Sequence, residues 1–400
     1  MAFIRHIPPS RAAGRLAQVY KEIRSELPRV PNLIQVFSLR PESMVWMYRG
    51  WMATMSGGTL PRQAKELVAL GTSRAGKSQY GIDWHLVMLL AAGMDRSRAF
   101  DVEKNTSDAE DLSDRDRETL RFASRITVDP RSVTDEDVLQ LQSLWPDPEE
   151  FVQIISVIAA ENVALRVANS LGVTLEIPMP LRRFRAGRRG AIAFMSRLTA
   201  LSAEFGERPI PARTPEENRR GISQLFRNQL GIPDPPFNWE LFDACPEVFD
   251  GQLRVIEKST AVVPCDRWMR IGLVVARLTG SDFYSESCGR WLEARGVSAR
   301  DVIAASEGAN SSLPDAEECC LRFTRDLTLH SHTIDADRID ELRSKGFSDG
   351  GILDLSYVGA MFNGMVRYLR MSIPAEASLT GSDSFSKGEN LLSIEEKASA

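Results

Sequence analysis

The stretch Glu66-Leu67-Val68-Ala69-Leu70-Gly71-Thr72-Ser73-Arg74-Ala75-Gly76-Lys77-Ser78-Gln79-Tyr80-Gly81-Ile82-Asp83-Trp84-His85 decides how this chain is read. It follows Pro61, which sits where a first helical turn begins and where proline's missing N–H costs nothing. Apolar residues recur within it at intervals of three and four, the period of a helix with one buried face. The run from Ser78 to Ala92 closes at Gly93, a natural left-handed residue just past a helix end. The spacing predicts two consecutive helices. On the second, Ser78, Gly81 and His85 stand at i, i+3 and i+7 and share one face, so the absent side chain at Gly81 leaves room for a substrate. Tyr80 and Asp83 face elsewhere but are placed to edge the same cavity, and Trp84 is expected in the core.

Outward from that stretch the helical period continues. Pro41 opens another helix, Ser113 caps one, Thr134 with Asp137 starts the next, and Pro148 opens a long one running to about Leu171. Alternating runs of β-branched residues are scarce, so the expected fold class is all-α. From 174 to 213 the composition shifts to Pro, Arg and Gly with interrupted periodicity, which reads as a linker with room for a helix from Ile192 to Phe205. Arg182, Arg183, Arg185, Arg188 and Arg189 decorate this linker; with no aromatic interleaving beyond Phe184 they do not predict nucleic-acid binding. Thr214-Pro215-Glu216-Glu217 then supplies a capping box with proline at the first helical position, and an ordered unit begins again.

The two units read as two copies of one. Leu112-Ser113-Asp114 through Leu120-Arg121-Phe122 parallels Leu313-Pro314-Asp315 through Leu321-Arg322-Phe323 at an offset of 313 − 112 = 201. Asn162 and Arg166 correspond to Asn363 and Arg367 at the same offset, and Gly93 corresponds to Gly296 at 203. Matches in order with a two-residue indel point to duplication; the plainer alternative is that generic amphipathic helices look alike. The expected organisation is a first domain over 1–173, the linker, a second domain over 214–379, and a disordered tail over 380–400 rich in Ser, Gly, Lys and Glu.

Bulk properties agree with a chain of this kind. Four hundred residues exceed what one hydrophobic core usually organises. The beginning, Met1-Ala2-Phe3-Ile4-Arg5-His6 followed by Pro8 and Pro9, lacks the apolar region of a signal peptide, and no apolar stretch reaches the ~20 residues needed to cross a bilayer. A cytoplasmic location with no membrane partner is expected. The formal net charge of −5 gives no general attraction to nucleic acid. All five cysteines, Cys245, Cys265, Cys288, Cys319 and Cys320, lie in the second half without C-x-x-C spacing, so neither a disulfide framework nor a zinc site is expected. His330 and His332 read as a loop pair without acidic or cysteine partners at metal-ligand spacing.

The opening stretch resembles the signature of the alkylhydroperoxidase D/carboxymuconolactone decarboxylase superfamily, in which a glutamate precedes C-x-x-C-x-x-x-H by a set distance. Glu66 takes the glutamate position, Ser78 and Gly81 the two cysteine positions, His85 the histidine position, and Tyr80 the aromatic one before the second cysteine. Gly14-Arg15-Leu16 through Val30-Pro31-Asn32-Leu33 resembles the family's opening segment, so the likeness covers nearly all of the first half. The resemblance implies two tandem helical domains forming a pseudo-dimer, homo-oligomerisation through helical surfaces, and antiparallel neighbouring helices that bring Glu66 to His85. In redox members the cysteine thiolates reduce peroxide. Ser78 and Gly81 cannot, so the expectation is that this chain is not a peroxidase.

What remains is an acid/base pair. A carboxylate hydrogen-bonded to an imidazole fixes its tautomer and raises its pKa, giving a proton donor and acceptor near neutrality that needs no cofactor or metal. The leading expectation, by resemblance, is decarboxylation of a small organic acid or carbonyl compound, with His85 and Glu66 catalytic, Tyr80 or Ser78 hydrogen-bonding the substrate oxygen, and Arg74 as a carboxylate anchor. Isomerisation, cyclisation or dehydration in a biosynthetic pathway would use the same residues. Two alternatives stay open: an inherited buried pair that satisfies only itself, and a non-catalytic scaffold, which a collapsed apolar core at this place would favour. In the second half, counting back from Gly296 puts Met269, Ser281, Phe283, Tyr284 and Cys288 at the motif positions. That half is expected to be architectural. Cys288 as a nucleophile, and a separate pocket with polar groups from Asp282, Tyr284 and Glu286, are the lesser alternatives.

Overall fold

The computed structural model describes residues 2–27, 29–177, 179–201 and 212–372, and among these there is no β-strand. The tail over 380–400 and residues 202–205 of the helix expected from Ile192 lie outside the described residues. Among the described residues twelve helices have twelve residues or more: α1 (Gly14–Glu26), α2 (Pro41–Ser56), α3 (Arg62–Ala75), α4 (Gln79–Ala91), α5 (Asp114–Val128), α6 (Pro148–Ser170), α7 (Arg185–Leu201), α8 (Pro246–Ser259), α9 (Cys265–Thr279), α10 (Asp282–Glu293), α11 (Asp315–His330) and α12 (Asp349–Ser372).

Their ends follow local chemistry. Ser113 accepts from the Asp116 amide at the start of α5, and Asp147 accepts from the amides of Glu149 and Glu150 at the start of α6. Thr134 with Asp137, and Thr214 with Glu217, form reciprocal capping boxes. Beyond α4, Gly93 holds φ +87°, which a side chain would strain. Once started, the helices are held by packing. Helix α6 is apolar and long enough to cross a membrane, yet it is buried almost all round inside the molecule.

α6 packs along α12, and α2 packs along α8, so each pairing joins one half of the chain to the other. In the α6–α12 contact Val163 meets Gly364, 201 residues later; a Cβ at residue 364 would sit 2.5 Å from Val163 Cγ2 and 3.2 Å from the Ala159 carbonyl oxygen. Around this crossing a hydrogen-bond motif occurs twice. Asn162 Nδ2 donates to Thr127 Oγ1 at 3.0 Å and to the Ile158 carbonyl at 2.9 Å. Asn363 Nδ2 donates to Thr328 Oγ1 at 3.1 Å and to the Gly359 carbonyl at 2.9 Å. Arg166 and Arg367 each bind the asparagine four residues earlier and then reach across. Arg166 donates to the Thr328 carbonyl at 3.5 Å, and Arg367 to the Thr127 carbonyl at 3.0 Å and the Ile126 carbonyl at 2.9 Å. The last carbonyls of α5 and α11, which no helix can satisfy internally, are thus capped from the opposite half.

The segment 174–213 is more than a linker. It contains α7, which packs against α4, and Arg188 from the basic run donates to Asp83 Oδ1 at 2.7 Å and Glu103 Oε1 at 2.6 Å. The arginines expected to decorate a connection instead include the anchor of a covering helix, because Asp83 on α4 and Glu103 beyond it need a cation once covered.

Candidate active site

Glu66 lies on α3 and His85 on α4, helices joined by a tight turn that forces them side by side. His85 Nδ1 is 2.6 Å from Glu66 Oε2, and both side chains are buried. The other oxygen, Glu66 Oε1, accepts from Arg62 Nε at 2.6 Å, one helical turn earlier on α3. His85 also has a second carboxylate, which the sequence did not single out. Glu161 projects from α6, with Oε2 3.2 Å from His85 Nε2, while its Oε1 accepts from Ser73 Oγ. The imidazole is therefore held between two carboxylates.

Burial alone would push the His85 imidazolium down, but Glu161 and Glu66 outweigh it and raise the pKa to about 9. Burial would push the Glu66 carboxyl up, but the charge of Arg62 and the bond to His85 outweigh that and hold it below its ordinary range. At neutral pH the centre is an imidazolium clamped between carboxylates.

One edge of this cluster faces a cavity of about 50 Å³ lined by Tyr80, Gly81, Trp84, His85, Arg62 and Glu161, with Trp51, Met47, Met52 and Met88 completing much of an apolar wall. The Trp51 ring centroid lies 5.7 Å from that of His85, and the Tyr80 and Trp84 rings stack at 6.4 Å. The pair does not sit in a collapsed core.

Of the expected site residues, Glu66, His85, Tyr80 and Gly81 meet here and three do not. Ser78 caps α4, its Oγ accepting from the Gly81 amide at 3.3 Å, so it points along its own helix and not into the cavity. Arg74 is exposed and donates at 3.4 Å to the Lys104 carbonyl; Arg62 is the cation at the site. Asp83 faces α7 and is held by Arg188 and Gln79. Gly81 also serves differently from expectation. A Cβ there would lie 2.2 Å from Ser73 Oγ and 2.8 Å from Glu161 Oε1, so its missing side chain makes room for the Ser73–Glu161 bond. Trp84, expected in the core, lines the cavity.

The corresponding place in the second half is filled. Met269 and Cys288 stand at the Glu66 and His85 positions, and the 201-residue offset puts Phe362 at the Glu161 position. Phe362 packs tilted against Trp268, ring centroids 4.1 Å apart, and meets Tyr284 edge-on at 6.0 Å. Burial pushes the Cys288 thiol well above its ordinary range, which argues against a nucleophile. Glu286 pairs with Arg290 on the outer surface, so no polar pocket forms from it with Tyr284. Among the described residues no group of three or more His, Cys, Asp or Glu is arranged to hold a metal ion, and His330 and His332 lie exposed at the end of α11.

Comparison with known proteins matches the pattern of the carboxymuconolactone decarboxylase family to residues 41–119. Alkyl hydroperoxide reductase Rv2159c of Mycobacterium tuberculosis is 35% identical over 99 residues, which is 23% of this chain and 28% of that protein. A crystal structure of an alkylhydroperoxidase AhpD core, an uncharacterized peroxidase-related protein from Ralstonia eutropha JMP134, covers 49% of this chain and 96% of its own at 20% identity and a TM-score of 0.41. Helices α2 to α4, with Glu66 and His85 at their centre, lie within the matched segment. Residues 41–119 of this chain form a carboxymuconolactone decarboxylase family domain, homologous to AhpD-like proteins.

Proposed function

We propose that the first half is an acid/base enzyme acting on a small carbonyl compound or organic acid, with His85, Glu66 and Glu161 as its working groups. The observation that carries this reading is the imidazole held between two carboxylates at the edge of a cavity. Glu66, itself oriented by Arg62, fixes the ring and keeps it charged. The Nε2 side of His85 then donates to a substrate carbonyl oxygen as negative charge develops there. Glu161, on the same edge, exchanges a proton with the neighbouring carbon. Decarboxylation, isomerisation, cyclisation and dehydration all pass through such an enolate, and the family name favours the first. Peroxide reduction is disfavoured by Ser78 and Gly81 at the cysteine positions, and by Glu161 and Ser73 in the space where a side chain at residue 81 would lie.

The second half is proposed to arise by tandem duplication and to serve as a built-in partner. Its support is the repeated asparagine–arginine motif, the reciprocal capping of α5 and α11, and the aromatic filling of its own motif region.

The test is a panel of small ketones and oxo-acids incubated with the full chain in deuterated buffer, read by proton NMR for exchange, isomerisation or loss of carbon dioxide. Turnover of at least one compound is expected, with His85→Ala, Glu66→Gln and Glu161→Gln each lowering the rate by roughly 10²-fold or more while circular dichroism is unchanged. Undiminished turnover in all three variants contradicts the reading.

A further inference from the structure

Helix α7 packs on α4 with one face and, among the described residues, leaves the other uncovered. Ile192 is buried beneath it, and Arg188 ties it to Asp83 and Glu103. On the outer side Ile177, Leu181, Ala191, Phe194 and Leu198 line an open groove, where Arg29 pairs with Glu176 at 3.9 Å. Gly187, Ala191, Phe194 and Leu198 follow spacings of four, three and four, one stripe along that side of the helix. Apolar exposure is concentrated here. Of the seven large apolar side chains exposed among the described residues, four (Leu181, Phe184, Phe194 and Leu198) fall between 181 and 198, each at least 44% exposed. A cluster of this kind marks an interaction surface.

The same stretch carries the strongest local charge. Residues 179–201 contain six arginines and no aspartate or glutamate, in a chain whose formal net charge is −5, so the rest of the chain carries −5 − 6 = −11. Arg188 and Arg189 reach Glu103, while Arg183 and Arg185 are exposed at the start of α7 and Arg197 near its end.

We propose that this face is a docking surface for an anionic lipid membrane, with α7 lying in the plane of the headgroups. Phe194 and Leu198 enter the boundary of the acyl chains, and the exposed arginines meet the lipid phosphates and carboxylates. A basic helix with aromatic and aliphatic side chains on its free side has the make-up of an interfacial helix, in which apolar burial and attraction to anionic headgroups add. The acidic remainder of the chain is repelled by the same surface, which confines contact to this face. The expectation of no membrane partner rested on the lack of a spanning stretch, which a helix lying on the surface does not need. A second copy docking here by the same face would set Arg183, Arg185 and Arg197 against their own counterparts. A nucleic acid would gain little from aliphatic side chains at the centre of the face.

The experiment is co-flotation of the full chain with unilamellar vesicles of phosphatidylcholine, alone or with about 30% phosphatidylserine. Retention on the phosphatidylserine vesicles is expected, at least about tenfold tighter than on phosphatidylcholine alone. Phe194→Ser with Leu198→Ser, and separately Arg185→Gln with Arg197→Gln, are each expected to weaken it by about tenfold or more with circular dichroism unchanged. All four side chains lie outside the His85 cavity, so the two pairs leave the acid/base centre intact. Lack of retention on phosphatidylserine vesicles overturns the proposal, as does equal retention on both compositions. Retention that both variant pairs leave unchanged overturns it too, by placing the contact elsewhere. If Phe194→Ser with Leu198→Ser instead abolishes a dimer seen by sedimentation velocity, and vesicles retain nothing, the face belongs to a second copy and the membrane reading falls.

Discussion

Replacing Gly81 by alanine would ordinarily strengthen α4, since alanine is favoured over glycine in a helix by up to about 1 kcal/mol, and by less in a first turn. The packing of this site predicts the opposite sign. The new Cβ would lie 2.2 Å from Ser73 Oγ, 3.0 Å from Ser73 Cβ and 2.8 Å from Glu161 Oε1. Both oxygens end side chains that can turn away, but turning away breaks the bond between them and draws Glu161 off His85. A hydrogen bond to a charged group contributes about 1.5–3 kcal/mol, so the helix gain is outweighed and Gly81→Ala is expected to lose about 1–2 kcal/mol. Denaturant midpoints at unchanged slope measure this directly. Introducing Gly81→Ala into a Ser73→Ala background, where the nearest clash is gone, is expected to cost much less, giving a coupling of about 1 kcal/mol or more in the double-mutant cycle. Gly81→Ala at or above native stability, with additive behaviour in the cycle, would refute the argument.

Further outcomes are expected elsewhere. Because the folded pKa of His85 is raised to about 9 from 6.5, the stability its protonation contributes is fully present below about pH 6.5 and is lost as pH climbs toward 9; the gap between native protein and His85→Gln in denaturant midpoint should shrink over that window. Arg367→Met strands the buried Ile126 carbonyl and the Asn363 side-chain oxygen and removes the shorter of two bonds to the Thr127 carbonyl, and thermal unfolding is expected to show a loss of about 3 kcal/mol or more. Gly364→Ala overpacks the α6–α12 crossing by about 1–3 kcal/mol, and adding Val163→Ala is expected to recover part of that in the same assay.

The helices and their caps were legible because they are local: Ser113, Thr134 and Thr214 announce themselves within three residues of the amides they bind. The Glu66–His85 pair was legible through the family resemblance, which implies that the two consecutive helices lie antiparallel as neighbours. Glu161 was not, since it arrives 161 − 85 = 76 residues later on a separate helix. Its signal was a single carboxylate inside the apolar run from Phe151 to Ala168, where an ionised group needs a buried partner. Arg62 carried the i, i+4 spacing to Glu66 and was overlooked in favour of Arg74, which lies beyond the reach of the pair on the exposed end of α3. Ser78 was misassigned because a residue that starts a helix uses its hydroxyl on its own backbone. Asp83 was misassigned because its partner, Arg188, sits in a stretch whose broken periodicity hid a covering helix.

The account stands on the charge state of one ring. In protein labelled with nitrogen-15 at its four histidines, an NMR titration with His85→Gln for assignment reads that charge directly. One imidazole is expected to stay protonated through neutrality and to titrate near pH 9, with its signal absent from His85→Gln. A His85 signal that titrates near 6.5, the value of a free imidazole, would contradict an imidazolium clamped by Glu66 and Glu161.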